Sequence, residues 1–182
     1  MKKNIYYSLL ISAMVSVSAA EETRQVDKHE HGVGELNIAI EGNAIDFEFF
    51  IPGADIVGFE YEAKTESDIA LVNAALEKFG NFDNIFSLPE SSNCNLVNSE
   101  IGVNQDDDHD EHDDHNEEAH NEFVAHYSFN CENIKEIDRI SFPYFTNFPN
   151  SGELEVQFVS EKGSTGFEVE GDEPFIDLKG KI

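Results

Sequence analysis

Basic residues are scarce in this sequence: 11 lysines and arginines stand against 38 aspartates and glutamates, so the formal net charge is −27 at pH 7. A chain of this charge repels nucleic acid and anionic lipid, because both are polyanions. Beyond the N-terminus, the sequence also lacks a hydrophobic run of the roughly 20 residues that a membrane-spanning helix needs. We therefore expect neither a nucleic-acid partner nor insertion into a membrane.

Catalytic motifs are missing as well. The sequence contains neither the His-Glu-x-x-His motif of zinc hydrolases nor a Gly-x-Ser-x-Gly nucleophile elbow. The acidic run at 106–108 superficially suggests calcium, but the EF-hand spacing of acids around a central glycine is absent. We predict that the protein is not an enzyme. The competing interpretations are a general divalent-cation-binding acidic structural protein and a zinc-dependent hydrolase.

The N-terminus has the layout of a secretory signal peptide. Two lysines precede a mostly apolar stretch at residues 5–17, and small residues follow at 18–20. Cleavage after Ala19 and cleavage after Ala20 both satisfy the small-residue rule. We expect a signal peptide at 1–19, a single domain at 20–182 and a periplasmic protein. Loss of the two lysines leaves 9 bases against 38 acids, which changes the formal charge from −27 to −29.

Alternating apolar and polar residues predict several β-strands. Residues 36–40 and 45–49 alternate on either side of Gly42 and Asn43, which is typical of a β-hairpin. Residues 123–129 and 154–158 alternate in the same way, and 95–103, 167–169 and 175–178 are weaker candidates. The strands predict antiparallel hairpins.

Helical spacing is clear at one place, where Ile69, Val72, Leu76 and Phe79 recur. Thr65 or Ser67 would cap its start, and a glycine follows its end. Residues 134–140 are a candidate for a second, short helix. The predicted fold class is therefore α+β: a single domain of antiparallel β-hairpins with one main helix covering a sheet face.

Residues 105–122 are rich in acids and histidines and contain no large apolar side chain, so we expect a flexible loop that buries no core. Cys94 precedes this loop and Cys131 follows it. An even cysteine count in an exported chain indicates one disulfide, whereas unlinked buried thiols are disfavoured in an oxidising compartment. The bridge would clasp the base of a hairpin that has the acidic loop at its tip.

Seven histidines fall in three places and are the candidate metal ligands: His29 and His31; His109, His112, His115 and His120; and His126. In an extended chain the first two point to the same side about 6 to 7 Å apart, which suits one shared ion. Imidazole and carboxylate together suit zinc, and the surrounding acids attract cations. For the first pair a surface coincidence stays open. The last histidine is either a third ligand or a polar residue on a solvated strand face.

Short motifs follow one another along the mature chain: His-Glu-His-Gly at 29–32, Leu-Asn-Ile-Ala at 36–39, Pro52, Val-Gly-Phe-Glu at 57–60, the acidic histidine insert, and Tyr-Ser-Phe-Asn-Cys at 127–131. In this order, after a signal peptide, they resemble the ZrgA-like family of periplasmic zinc uptake proteins. The resemblance covers nearly all of the mature chain. Because each motif is short, the resemblance depends on the order and spacing of the motifs.

The resemblance implies a periplasmic protein that binds zinc and works beside a zinc ABC transporter. It also implies that His29 and His31 are metal ligands and that the histidine insert is a variable loop. One position departs from the family pattern: Tyr61 stands where we expect a histidine. If that position supplies a ligand in relatives, Glu60 or His126 would have to compensate for it here.

Overall fold

The computed structural model describes residues 32–105 and 121–182. The predicted signal peptide lies outside these residues. The strands are β1 (Val33–Glu41), β2 (Ala44–Pro52), β3 (Cys94–Gln105), β4 (Asn121–Cys131), β5 (Arg139–Ser141), β6 (Glu153–Ser160), β7 (Gly163–Glu170) and β8 (Phe175–Asp177). The α-helices are α1 (Gly53–Val57), α2 (Glu66–Phe79) and α3 (Tyr144–Asn147), with 3₁₀ turns at Phe82–Asn84, Glu90–Ser92 and Ile134–Glu136.

Six strands form one sheet in the order β3-β4-β2-β1-β6-β7, and β5 pairs with β8 in a separate two-stranded sheet. The β1–β2 hairpin is confirmed, and Gly42 at its turn adopts a φ of 59°, which favours glycine. The prediction of antiparallel hairpins alone was incomplete, because β1 and β6 pair in parallel. These two strands are far apart in sequence, and the alternation within a strand does not indicate which distant strand it pairs with.

The core lies against one face of the six-stranded sheet. Aromatic side chains dominate it: Phe47 stacks on Phe86 with ring centroids 4.1 Å apart, and Phe86 also meets Tyr127 and Phe129 edge-on. Edge-to-face and offset aromatic pairs are the arrangements that the ring quadrupoles favour. The buried residues of β1, β2, β4 and β6 alternate with exposed ones, as the period-two pattern predicts.

Helix α2 covers part of this core, as predicted. The hydroxyl of Thr65 accepts a hydrogen bond from the Asp68 N–H, so Thr65 is the N-cap. At the other end Phe79 is buried and stacks on Phe123 of β4, while the Tyr127 hydroxyl donates a 2.6 Å hydrogen bond to the Phe79 carbonyl. Within the described residues, no helix has the length and hydropathy needed to cross a membrane.

The helix predicted at 134–140 is wrong. The structure has a single 3₁₀ turn at Ile134–Glu136, and Arg139–Ser141 forms β5 against β8. Seven residues are too few to stabilise an isolated helix, so pairing with a distant strand determines the conformation. The buried side chains of Ile137 and Ile140 join the core in this arrangement.

The predicted disulfide is confirmed. Cys94 and Cys131 are bonded and lie directly opposite each other at one end of the β3–β4 ladder. The other end of the ladder pairs Gln105 with Asn121. The ends of the loop predicted at 105–122 therefore belong to β3 and β4, and the acidic insert that they border is 106–120. The bridge therefore closes the hairpin at the end away from the insert.

The sheet face away from the core is strongly acidic. None of the six strands contains a lysine or arginine. The alternating residues on this face include the carboxylates of Glu35, Glu41, Asp46, Glu48, Glu100, Glu122, Glu153, Glu155, Glu168 and Glu170. We call this surface the acidic face.

Candidate metal centre

Six of the seven candidate histidines lie outside the described residues: His29, His31, His109, His112, His115 and His120. The structure does describe the residues that follow two of them in the chain, Gly32 and Asn121. These two residues, which we call the chain junctions, show where the histidine-bearing segments join the folded domain.

Both chain junctions lie at the same end of the six-stranded sheet. β1 and β4 are the two neighbours of β2 and both run antiparallel to it, so both begin where β2 ends at Pro52. Pro52 pairs directly with Glu122. Since neighbouring strands are about 4.8 Å apart, β1 and β4 are separated by about 10 Å. We call this the site end of the sheet.

Hydrogen bonds fix the first chain junction on both sides of its peptide. The Gly32 N–H donates to Asp55 Oδ1 at 2.9 Å, and the Gly32 carbonyl accepts from the N–H groups of Gly152 and Glu153 at 2.9 and 2.8 Å. Gly32 has a φ of 90°, a conformation that side chains other than that of glycine rarely adopt. The glycine of the His-Glu-His-Gly motif is therefore required by the backbone geometry.

Asp55 is a buried carboxylate at the site end, with 3% of its surface exposed. It lies on α1, directly after β2, and the Tyr144 hydroxyl lies nearby. Burial raises the pKa of Tyr144 above its usual range and the Asp55 charge raises it further, while the hydrogen bond to Ser151 lowers it. A buried carboxylate is costly unless it is hydrogen-bonded, and here Asp55 Oδ1 accepts the Gly32 N–H.

The second chain junction is tied to the loop that follows α1. The Asn121 N–H donates to the Glu60 carbonyl at 2.7 Å, and the Asn121 Nδ2 donates to the Tyr61 carbonyl at 3.2 Å. The Tyr61 ring is exposed and stacks on Phe59 with centroids 4.6 Å apart. The position that departs from the family pattern therefore lies beside the residue that follows His120.

Four carboxylates lie on the segments that form the site end: Asp55, Glu60, Glu122 and Glu153. They provide oxygen donors of the kind that zinc accepts beside imidazole. Taken alone, the described parts of the chain hold no group of three or more His, Cys, Asp or Glu side chains arranged for a metal ion. A metal site at this end would therefore need further donors from outside the described residues.

His126 lies elsewhere, on the acidic face. Its Nε2 is 3.5 Å from Asp46 Oδ1, which also accepts a 2.5 Å hydrogen bond from Ser128. Glu48 and Glu100 are its partners in register on the two neighbouring strands. It is five residues along β4 from Asn121, a separation of about 17 Å. The structure therefore does not bring His126 to the site end, and its metal role stays a prediction.

A protein-family model described as "ZrgA family zinc uptake protein" matches residues 28–178. The chain belongs to the ZrgA family of zinc uptake proteins. The matched region includes both chain junctions and everything described between them. A comparison with curated proteins gives no match.

Membership of the ZrgA family confirms the resemblance and indicates a role in zinc uptake. Sequence reasoning did not single out Asp55 or Asn121, which the structure places beside the two histidine-bearing segments. Asp55 had a detectable signal, because it is a lone acid among the apolar residues of 51–57. Asn121 had none, because it continues a polar tract.

Proposed function

We propose that this ZrgA-family protein captures zinc in the periplasm and passes it to a zinc ABC transporter. The observation that carries the proposal is the placement of the two chain junctions at one end of the sheet, since each directly follows a candidate histidine ligand. Consecutive Cα atoms are about 3.8 Å apart, so His31 and His120 are covalently held next to Gly32 and Asn121.

The tightest site would be built on His29 and His31. Neutral imidazole nitrogen is a preferred zinc ligand, and zinc takes about four ligands in structural sites. Carboxylates at the site end, such as Glu60 and Glu122, supply suitable oxygen donors. Gly32 is already fixed by three hydrogen bonds, so this residue loses no further backbone entropy when the motif before it binds an ion.

The histidines of the insert would form a second, weaker class of sites. His109, His112, His115 and His120 alternate with aspartates and glutamates, so several ions can be held at high local concentration. The negative charge of the insert and of the acidic face attracts cations, and salt screens that attraction. The insert would therefore set the capacity and the rate of capture.

A periplasmic location follows from the predicted signal peptide, and the Cys94–Cys131 disulfide supports it because such bonds persist in oxidising compartments. The role is binding and transfer without catalysis. Zinc itself is the cargo.

The proposal is tested by calorimetric zinc titration of the mature protein and two variants. In the first variant, Asn-Gly replaces residues 106–120, because a two-residue turn can join the paired Gln105 and Asn121. It should bind fewer zinc ions and keep one tight site. The second variant, His29→Ala with His31→Ala, should lose the tight site and keep the weaker ones.

Two outcomes would contradict this assignment. If the shortened variant loses the tightest site, the primary site lies in the insert. If the double alanine variant keeps it, the His-Glu-His motif is not the ligand. The acidic face favours the general divalent-cation alternative. Calcium has little use for imidazole, so a wild-type protein that binds calcium as tightly as zinc would support that alternative.

A further inference from the structure

One short segment connects both chain junctions. Residues 53–61 contribute Asp55, which accepts the Gly32 N–H, and the carbonyls of Glu60 and Tyr61, which accept hydrogen bonds from Asn121. The segment begins where β2 ends, at the site end of the sheet. A displacement of this segment therefore affects both chain junctions.

Asn121 fits this segment with no spare room. Its side chain is 3% exposed, and its Oδ1 packs so closely on Gly53 that a Cβ built at that glycine would lie 1.5 Å from the oxygen. Among the described residues this Oδ1 has no hydrogen-bond partner. A buried acceptor without a partner lowers stability, so the side chain is not explained by stability alone.

Asp55 is likewise an unusual choice for a merely structural position. A buried carboxylate carries a desolvation cost that a neutral side chain avoids. Asp55 accepts the backbone N–H of Gly32, the residue after His31, and Gly32 is held from the opposite side by Gly152 and Glu153. The arrangement fixes the direction in which the chain leaves the sheet towards the His-Glu-His motif.

We propose that Asp55 and Asn121 are positioning residues for the tightest zinc site: Asp55 holds the chain junction that follows His31, and Asn121 holds residues 53–61, which contain Asp55. This inference rests on the proposed function and adds residues to it. Groups that orient metal ligands without touching the metal typically change affinity by about 10- to 100-fold when removed.

The test compares Asp55→Ala with Asp55→Asn in the full mature protein, by zinc competition titration at pH 7.5. Asp55→Ala removes the acceptor of the Gly32 N–H and should weaken the tightest zinc site by about 10- to 100-fold. Asp55→Asn keeps an acceptor oxygen at the same place and should restore most of the affinity. The number of zinc ions bound should stay the same in both variants.

Asp177→Ala is the matched control, because Asp177 Oδ1 also accepts a backbone N–H at 2.9 Å, from Lys179, in the small sheet. Its zinc affinity should equal that of the wild type. Thermal unfolding without zinc is recorded for every variant. If Asp55→Ala does not fold, Asn121→Asp serves instead: it keeps the backbone bond to Glu60, loses the donor to Tyr61, and should also weaken the tightest site.

The inference would be overturned if Asp55→Ala bound zinc as tightly as the wild type. If the alanine variant does not fold, the same result in Asn121→Asp would overturn it. So would an Asp55→Asn variant as weak as Asp55→Ala, because the carboxylate would then be a ligand. These results are distinct from failure of the proposed function. In that case the wild-type protein itself lacks a tight zinc site, or His29→Ala with His31→Ala leaves it intact.

Discussion

Glu35 of β1 lies directly beside Glu155 of β6 in the parallel register of these strands. On its other side Glu155 faces Glu168 of β7, and all three side chains are exposed. Like charges directly opposite each other destabilise a sheet, and no lysine or arginine on the six strands offsets them. The acidic face is therefore maintained at some expense of stability.

Glu155→Gln should raise the melting temperature, because it removes the central charge of this row. The gain should be about 1 to 4 °C at low ionic strength, from pairwise effects of about 0.2 to 1 kcal/mol, and should shrink in 0.5 M salt. Glu77→Gln on the exposed surface of α2 removes the same charge away from the row. Equal shifts in both variants would show that net charge alone, without the alignment, determines stability.

Stability should fall as pH rises above 10. Burial raises the pKa of Tyr127 above its usual value of 10.0, and burial does the same for Tyr144. The unfolded chain then loses these protons first, so the folded state binds more protons and each tyrosine contributes a loss of about 1.4 kcal/mol per pH unit. The contribution of the two protonated tyrosines to stability is therefore complete below pH 10 and is lost as the pH rises further.

Urea unfolding between pH 8 and pH 11 measures this dependence. Tyr127→Phe should reduce stability at pH 8, because the hydrogen bond to Phe79 is lost, yet show a shallower decline above pH 10. Tyr61→Phe, at an exposed position, is the control and should keep the wild-type slope. A Tyr127→Phe slope equal to that of the wild type would contradict the prediction.

Reduction of the disulfide should destabilise the domain by about 3 to 4 kcal/mol, because the bond closes a long loop and restricts the unfolded chain. The two cysteines are 37 residues apart in sequence. The measurement is denaturant unfolding of Cys94→Ser with Cys131→Ser against the wild type. In a protein with Asn-Gly in place of 106–120, the disulfide closes a shorter loop. The same two serine substitutions should therefore cost that protein less stability. An equal loss in the long and the short hairpin would count against the entropic account.

Zinc affinity should fall steeply below about pH 6. Histidines bind metal only when neutral, and their unperturbed pKa is near 6.5, so protons compete with zinc across mild acidity. Competition titrations from pH 7.5 to pH 5 test this expectation. Constant affinity over that range would mean that carboxylates alone hold the ion.

Local patterns predicted the elements whose pairing is also local. The β1–β2 hairpin, helix α2 with its Thr65 cap, and the strand that ends at Cys131 all follow from periodicity and turn residues. The parallel pairing of β1 with β6 and the strand β5 were not predicted. They depend on contacts between residues far apart in sequence, which no local period records.

For the candidate site, the sequence likewise predicted residue types but not their arrangement in space. Histidine spacing and composition identified the ligand candidates, and the family match covers the region between them. Neither could indicate that Gly32 and Asn121 reach the same end of the sheet, because that depends on the strand order around β2. Asp55 and Asn121 matter through hydrogen bonds to main-chain atoms, and such partners leave no signature in residue type.

The β3–β4 hairpin is closed by the disulfide at one end and by the Gln105–Asn121 pair at the other. An insertion between two residues that are already paired adds no new register to the sheet. Segments of different length and histidine content can therefore be exchanged at this position while the domain keeps its strand pairing. Selection can change the number of histidines carried here independently of the strand pairing of the domain.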